Sequence, residues 1–302
     1  MPVLHMIGDS FFAPMQPRYT IESEEEYHKF RDLFRETEWW NILGKKLGAE
    51  SISNVSGSGT GLDWMCHRLI ELLQQKQINA QDVVIISLTH PDRKWAVEEA
   101  PWASNLACLE TESFRENIIE DLKERNGLKD EVKLRVQMET AYQYWLHCKS
   151  EKLDTYISFG LIYFMKEICR RNNIGCYFLQ TVSNMGTIEN NYVNGFNTIG
   201  TLQDLAINEF KGKTWSDRQR TRNKAFLSEK KYWQGRDQRI AHLTLDNHKI
   251  LANKLFESIT NKTELDLTTG FNEQVIDLNE EPELHLYCKE NNWDFMENKW
   301  IN

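Results

Sequence analysis

The stretch Asp82–Arg93, "DVVIISLTHPDR", runs apolar from Val83 to Leu88 apart from Ser87, with a charge before it and Pro91 behind it. A strand with one wet face alternates apolar and polar residues, whereas an unbroken run of this length fits a strand covered on both faces, as in a parallel sheet. Val3–Ile7 has the same character and ends at Gly8. "AESISNVSG" reads as a second strand running into a Gly/Ser turn, and "GCYFLQTV" as a further buried strand after the central one. Helical patterns separate them. Tyr27, Phe30, Leu33 and Phe34 recur at helical spacing, with Gly44 and Gly48 breaking that pattern. "GLDWMCHRLIELLQQKQI", residues 111–126 and 131–149, and "LDTYISFGLIYFMKEICRRNNI" are each helical, and "DNHKILANKLFESI" closes the series with Ile250, Leu251, Leu255 and Ile259 on one side. Strands alternating with helices, without a regular repeat, predict an α/β fold: a mostly parallel sheet with helices on both faces, a three-layer α/β/α arrangement.

In such sheets ligands bind outside the carboxyl ends of the strands. Three polar clusters follow expected strands directly: "GDS" (residues 8–10), the "SGSGTG" turn and "THPDR". The sequence therefore predicts a site where they meet. Ser10 is either a nucleophile presented at a strand end or a serine that caps a turn.

Composition bounds the function. With 302 residues, 40% hydrophobic and 27% charged, the chain can bury a sizeable core. A formal charge of −9 argues against general nucleic-acid binding, which needs a basic surface to displace counterions. The six cysteines form no CxxC pair and the N-terminus has no basic, apolar leader. They read as reduced thiols of a cytoplasmic chain, and the longest apolar stretch, around Tyr156 to Met165, is too short for a membrane span. No HExxH pair and no cysteine at metal spacing accompany the eight histidines, so neither a metal nor another cofactor is expected. "KTWSDRQRTRNKAFLSEKKYWQGRDQR" is locally basic but interspersed with acids, as on a solvated helix. Beyond residue 260 the chain turns acidic and Asn-rich yet holds Phe271, Tyr287, Trp293, Phe295 and Trp300, too aromatic for a disordered tail. The expected division is a domain over 1–260 and an extension over 261–302 that packs on that domain or on a partner.

"IGDSFF", the Gly-rich turn after the second strand and "HLTLDNHKILANKL" together resemble the SGNH/GDSL hydrolases, α/β/α serine esterases and acyl hydrolases, over about residues 3–259. Their pattern opens with Gly-Asp-Ser, whose serine is the nucleophile, and closes with a His followed six residues later by another, as His242 and His248 are here. The resemblance implies Ser10 as nucleophile and His242 as base, with His248 structural inside the last helix. The orienting Asp three residues before the His is Arg239 here, so Asp237 is the candidate to fill that role. Counting five from Asn54, as in the family, selects Gly59 as a backbone oxyanion donor, with Gly57 as runner-up. The family's Gly-x-Asn-Asp motif aligns Thr89 with its Gly and Pro91 with its Asn, and proline has no donor to offer. Thr89, His90 or Arg93 could substitute, although "THPDR" could also be a plain strand-to-helix turn with Asp92 and Arg93 paired. Bacteriophage-encoded members look similar here, which implies a viral origin and places the chain in the cytoplasm or in a virion.

The resemblance implies an ester substrate, an acetylated carbohydrate. Trp39, Trp40, Trp95 and Trp102 could line a sugar cleft or pack in the core, with His90 and Trp95 as substrate-binding candidates. The competing expectation is an inactive SGNH-fold module, structural or glycan-binding, that meets phage structural proteins through its extension.

Overall fold

The computed structural model describes residues 2–14, 35–57, 59–91, 93–97, 103–105, 112–182, 198–208, 243, 245–272, 293–294 and 299–300. The chain divides into two compact units, one made of residues 1–13 and 47–197, the other of 14–46 and 198–302.

The first unit is built on a four-stranded parallel sheet of β1 (Val3–Ile7), β2 (Ser51–Asn54), β3 (Val83–Leu88) and β6 (Gly175–Gln180), in the order β2-β1-β3-β6. All four expected strands are present. Register puts Ile7 beside Ile86 and Ile86 beside Phe178. These residues share one core with α2 (Leu62–Gln74) and α5 (Glu151–Arg171), through Met65 and Leu69 on α2 and Ile162, Met165 and Cys169 on α5. Because successive side chains point to opposite faces, Leu4, Met6, Ile85 and Leu179 lie on the other face. They are fully buried as well. This is why the strands read as continuous apolar runs. The architecture is α/β and compatible with three layers.

Between β3 and β6 the chain adds a two-stranded antiparallel ribbon, β4 (Arg93–Trp95) with β5 (Ala103–Asn105), and then the helices α3 (Glu112–Asn126) and α4 (Glu131–His147). Ile118, Ile119 and Leu122 of α3, Leu134 and Met138 of α4 and Val97 form a separate small core. The residues after Pro91 thus enter a ribbon, not a helix.

In the second unit, α1 (Trp39–Leu47) runs through Gly44, which is buried in it, and Gly48, at φ +66°, follows it. The expected break at Gly44 does not occur; the left-handed conformation that favours glycine after a helix is found only at Gly48. Trp39 and Trp40 are buried, their rings edge-on at 5.4 Å, so they are core residues and do not line a sugar cleft. His248 of α7 (Leu245–Asn261) is buried, and its Nδ1 accepts the Trp39 N–H at 3.1 Å, the structural role expected for it. β7 (Thr198–Ile199) precedes the short α6 (Leu202–Asn208) and pairs in parallel with β8 (Leu265–Asp266), so the expected boundary at residue 260 falls inside this unit. Farther on, β9 (Trp293–Asp294) pairs with β10 (Lys299–Trp300). No helix among the described residues is long and apolar enough to cross a membrane.

At the amino edge of the sheet, Asp82 accepts the N–H groups of Val3 and Asn79 at 2.8 and 2.7 Å and faces His5 Nε2 at 3.4 Å. Burial holds the His5 imidazole below its ordinary value of 6.5, outweighing the pull of Asp82. Burial pushes the Asp82 carboxyl up, but the Val3 and Asn79 N–H groups and His5 outweigh it and leave the carboxyl lowered from 3.8. For both groups the folded value lies below the unfolded one, so each contributes stability that is complete above its unfolded value and is lost as pH falls. The urea midpoint is expected to be level above pH ~7 and to decline first below ~6.5, from His5, and again in the carboxylate range. His5→Leu should reduce the first decline.

Candidate active site

The switch point of the sheet lies between β1 and β3, the central pair from which the chain winds outward in both directions. The segments following these strands carry the expected site residues. After β1, the chain makes one helical turn in which the Phe12 and Ala13 N–H groups donate to the Asp9 carbonyl at 3.1 and 3.0 Å. The side chain of Asp9 caps this turn: its Oδ1 accepts the Phe11 N–H at 3.1 Å. Ser10 is only partly buried, and its hydroxyl has no hydrogen-bond partner among the described residues. The capping role that could have explained Ser10 belongs to its neighbour. Gly8 is required here, since a Cβ on it would stand 2.6 Å from the Phe12 ring.

The Asp9 carboxylate is completely buried. Its Oδ2 accepts from Thr181 Oγ1 at 3.0 Å and from Arg93 Nη1 at 3.3 Å. The same Nη1 donates to Thr89 Oγ1 at 2.7 Å. Thr181 Oγ1 also lies 2.9 Å from the Leu88 carbonyl and 3.0 Å from Ser87 Oγ, so a buried polar chain runs from β3 through Thr181 and Asp9 to Arg93. A buried charge needs such partners. Arg93 pairs with Asp9 across the sheet edge; the alternative partner, Asp92, lies outside the described residues. The tight turn between Thr89 and Arg93 closes through the Arg93 N–H on the His90 carbonyl at 3.1 Å, with Pro91 buried inside it. Thr89 is fully buried and its oxygen serves Arg93, so it positions the guanidinium, which keeps donors beyond Nη1.

The turn after β2 is fastened to β1. The Gly57 N–H donates to the Gly8 carbonyl at 3.0 Å, and Thr60 Oγ1 donates to Gly8 at 3.0 Å or Gly57 at 3.2 Å. Asn54 Nδ2 reaches the Phe12 carbonyl at 2.8 Å and its Oδ1 accepts the Ser56 N–H at 3.1 Å. Gly57 has therefore spent its N–H. Gly59 sits at φ +76°, a conformation that favours glycine, and its N–H donates to no group among the described residues. Of the two glycines, Gly59 is the one able to bind an oxyanion.

Gly61 and Asp63 hold β4 in place. Asp63 Oδ2 accepts the Trp95 N–H at 2.8 Å, and burial pushes its carboxyl up in spite of the N–H groups of Trp95 and Trp64. A Cβ on Gly61 would stand 2.4 Å from the Arg93 carbonyl oxygen. Gly61→Ala is expected to cost about 1–3 kcal/mol by overpacking and to move Arg93. A denaturation midpoint equal to that of the unmodified chain would contradict this packing. Trp95 is partly buried, with its ring 4.9 Å from that of His67.

Of the expected site residues, Ser10, Gly59, Thr89, His90, Arg93 and Trp95 belong to this unit; His242 and Asp237 lie outside the described residues. Thr181, Ser87 and the anchoring role of Asp9 were not anticipated. The available signal was the polar "QT" that ends the otherwise apolar "GCYFLQTV". Among the described residues no group of three or more His, Cys, Asp or Glu is gathered to hold a metal ion. No protein-family model matches the chain, and no curated protein matches it.

Proposed function

We propose that the chain is a serine esterase of the SGNH/GDSL type, with the three-layer α/β/α fold of that family, and that it removes acetyl or another short acyl group from a carbohydrate. The observation that carries this reading is the uncommitted hydroxyl of Ser10 at the carboxyl edge of β1, next to an aspartate that performs all the local structural work. A hydroxyl is a weak nucleophile until a base removes its proton, and His242, oriented by Asp237, is the proposed base. Ser10 Oγ attacks the ester carbonyl as its proton passes to His242, and the carbonyl electron pair becomes the oxyanion. The Gly59 N–H and the remaining donors of Arg93 stabilise that charge, standing in for the amide that Pro91 cannot supply. Collapse expels the alcohol, which takes the proton from His242. Water then repeats the sequence on the acyl-serine and releases the acid. His90 and Trp95 are the proposed contacts to the alcohol portion.

A second reading, a non-catalytic binding or structural module of a phage particle, draws on Pro91 and on the engagement of Arg93 with Asp9. Turnover of p-nitrophenyl acetate by the purified chain separates the two. Release of p-nitrophenol above the buffer rate supports the esterase; a rate equal to buffer favours the module.

A further inference from the structure

Helix α5 is apolar on two sides. Its inner side sets Ile162, Met165 and Cys169 into the core against the sheet, and Asp154 and Ser158 are buried on the same side. The side turned away from such a core is normally polar. On α5 it presents Leu153, Tyr156, Ile157, Tyr163 and Phe164, which are 41% to 66% exposed. Leu153, Tyr156, Gly160 and Tyr163 follow one another at steps of three, four and three, with Ile157 and Phe164 one position on. That is the spacing of a seam where one helix packs on another. Aromatic side chains carry about 150–250 Å² each, so the five residues together leave on the order of 500 Å² of apolar surface in water, toward the top of the range for the largest patch on a monomer.

Gly160 stands at the middle of this stripe and near the middle of the 21-residue helix. A glycine there weakens the helix relative to alanine. A Cβ on it would meet nothing within 4 Å among the described residues, so packing around it does not call for a glycine. Close approach of a second helix does. Helix axes pack about 8–10 Å apart according to the side chains at the contact, and glycine permits the short end of that range.

The stripe is also arranged to match itself. Tyr156 and Phe164 lie four positions to either side of Gly160, and Ile157 and Tyr163 three positions to either side. A two-fold interface requires such self-complementarity, because the same patch serves on both copies. With the helices antiparallel and the axis at Gly160, Tyr156 falls beside Tyr163 of the second copy on one flank, and Ile157 beside its Phe164 on the other. The stripe supplies more than half of the about 800 Å² that each partner of a stable dimer buries, and the polar flanks of the helix supply the rest.

We propose that the chain pairs with a second copy of itself through this stripe, with the two α5 helices antiparallel and crossing at Gly160. The proposal rests on α5 alone and holds whether or not Ser10 is a nucleophile.

Sedimentation equilibrium of the full chain tests it, with a dimer of Kd about 10 µM or tighter expected for an interface of this size. Gly160→Leu should weaken the dimer at least about tenfold. The same change should leave the melting temperature of the dilute monomer unchanged or higher, since leucine favours the helix. Tyr156→Glu and Tyr163→Lys, both at exposed positions, should each weaken pairing about tenfold, and a mixture of the two chains should associate at least about fivefold more tightly than either alone. Only the antiparallel arrangement brings position 156 beside position 163. A chain that stays monomeric up to about 200 µM, well above the affinity expected for this area, overturns the proposal and leaves the stripe to another segment of this chain or to a different protein. A dimer that Gly160→Leu leaves unchanged, or a mixture that associates no better than its components, overturns it as well.

Discussion

Ser10→Ala is expected to lower hydrolysis of p-nitrophenyl acetate by at least about 10³-fold, because the remaining groups bind and polarise the ester but supply no nucleophile. The same substitution should leave the fold almost untouched. The Ser10 hydroxyl makes no hydrogen bond among the described residues, and the turn it belongs to is capped by Asp9. Changes of this kind at uncommitted positions stay within about 0.5 kcal/mol. The two halves of the expectation belong together: a large loss of turnover with an unchanged melting curve assigns a chemical role. A parallel loss of both would make Ser10 structural.

Asp9→Ala reverses the pattern. Its carboxylate accepts from Phe11, Thr181 and Arg93 in a fully buried position, so truncation removes the cap of the turn and the anionic partner of Arg93. Breaking one side of a buried charged pair costs about 3–5 kcal/mol. Arg93 is 23% exposed and can turn toward water, which places the expectation at the lower end, about 3 kcal/mol. For a chain of 302 residues that corresponds to a melting temperature lower by roughly 5 °C. Differential scanning calorimetry of the variant checks it, and a shift under about 2 °C would mean that the network carries little energy. Activity should fall with stability, because the same carboxylate holds Arg93, the proposed oxyanion donor.

The parallel sheet was legible in the sequence for a physical reason. Val83–Leu88, Val3–Ile7 and "GCYFLQTV" are strands of a parallel sheet, and two-sided burial leaves near-continuous apolar runs in place of alternation. Their order then placed Ser10, the Gly-rich turn and Thr89–Arg93 along one edge. Other features stayed hidden. Gly44 reads as a helix breaker because local propensity disfavours glycine, but packing around Trp39, Trp40 and Leu43 carries α1 through it. The pair Trp39 and Trp40 looks the same in a core as in a cleft when only composition is available. The β4–β5 ribbon is short, and the polar residues after Pro91 gave no strand period. The link between Asp9 and Arg93 spans 84 positions and joins loop residues, so no periodicity could reveal it. Asp63 shows the same limit: it reads as an ordinary first-turn acid of α2, while its carboxylate fixes Trp95 across the sheet edge.

Intact-mass and peptide mapping after incubation with a fluorophosphonate is the most direct measurement of the central claim. A single adduct on the peptide containing Ser10, absent from Ser10→Ala and from acid-unfolded chain, is the expected result. No adduct under conditions that label a control esterase, or an adduct on a different serine, would show that the hydroxyl at the end of β1 is not an activated nucleophile.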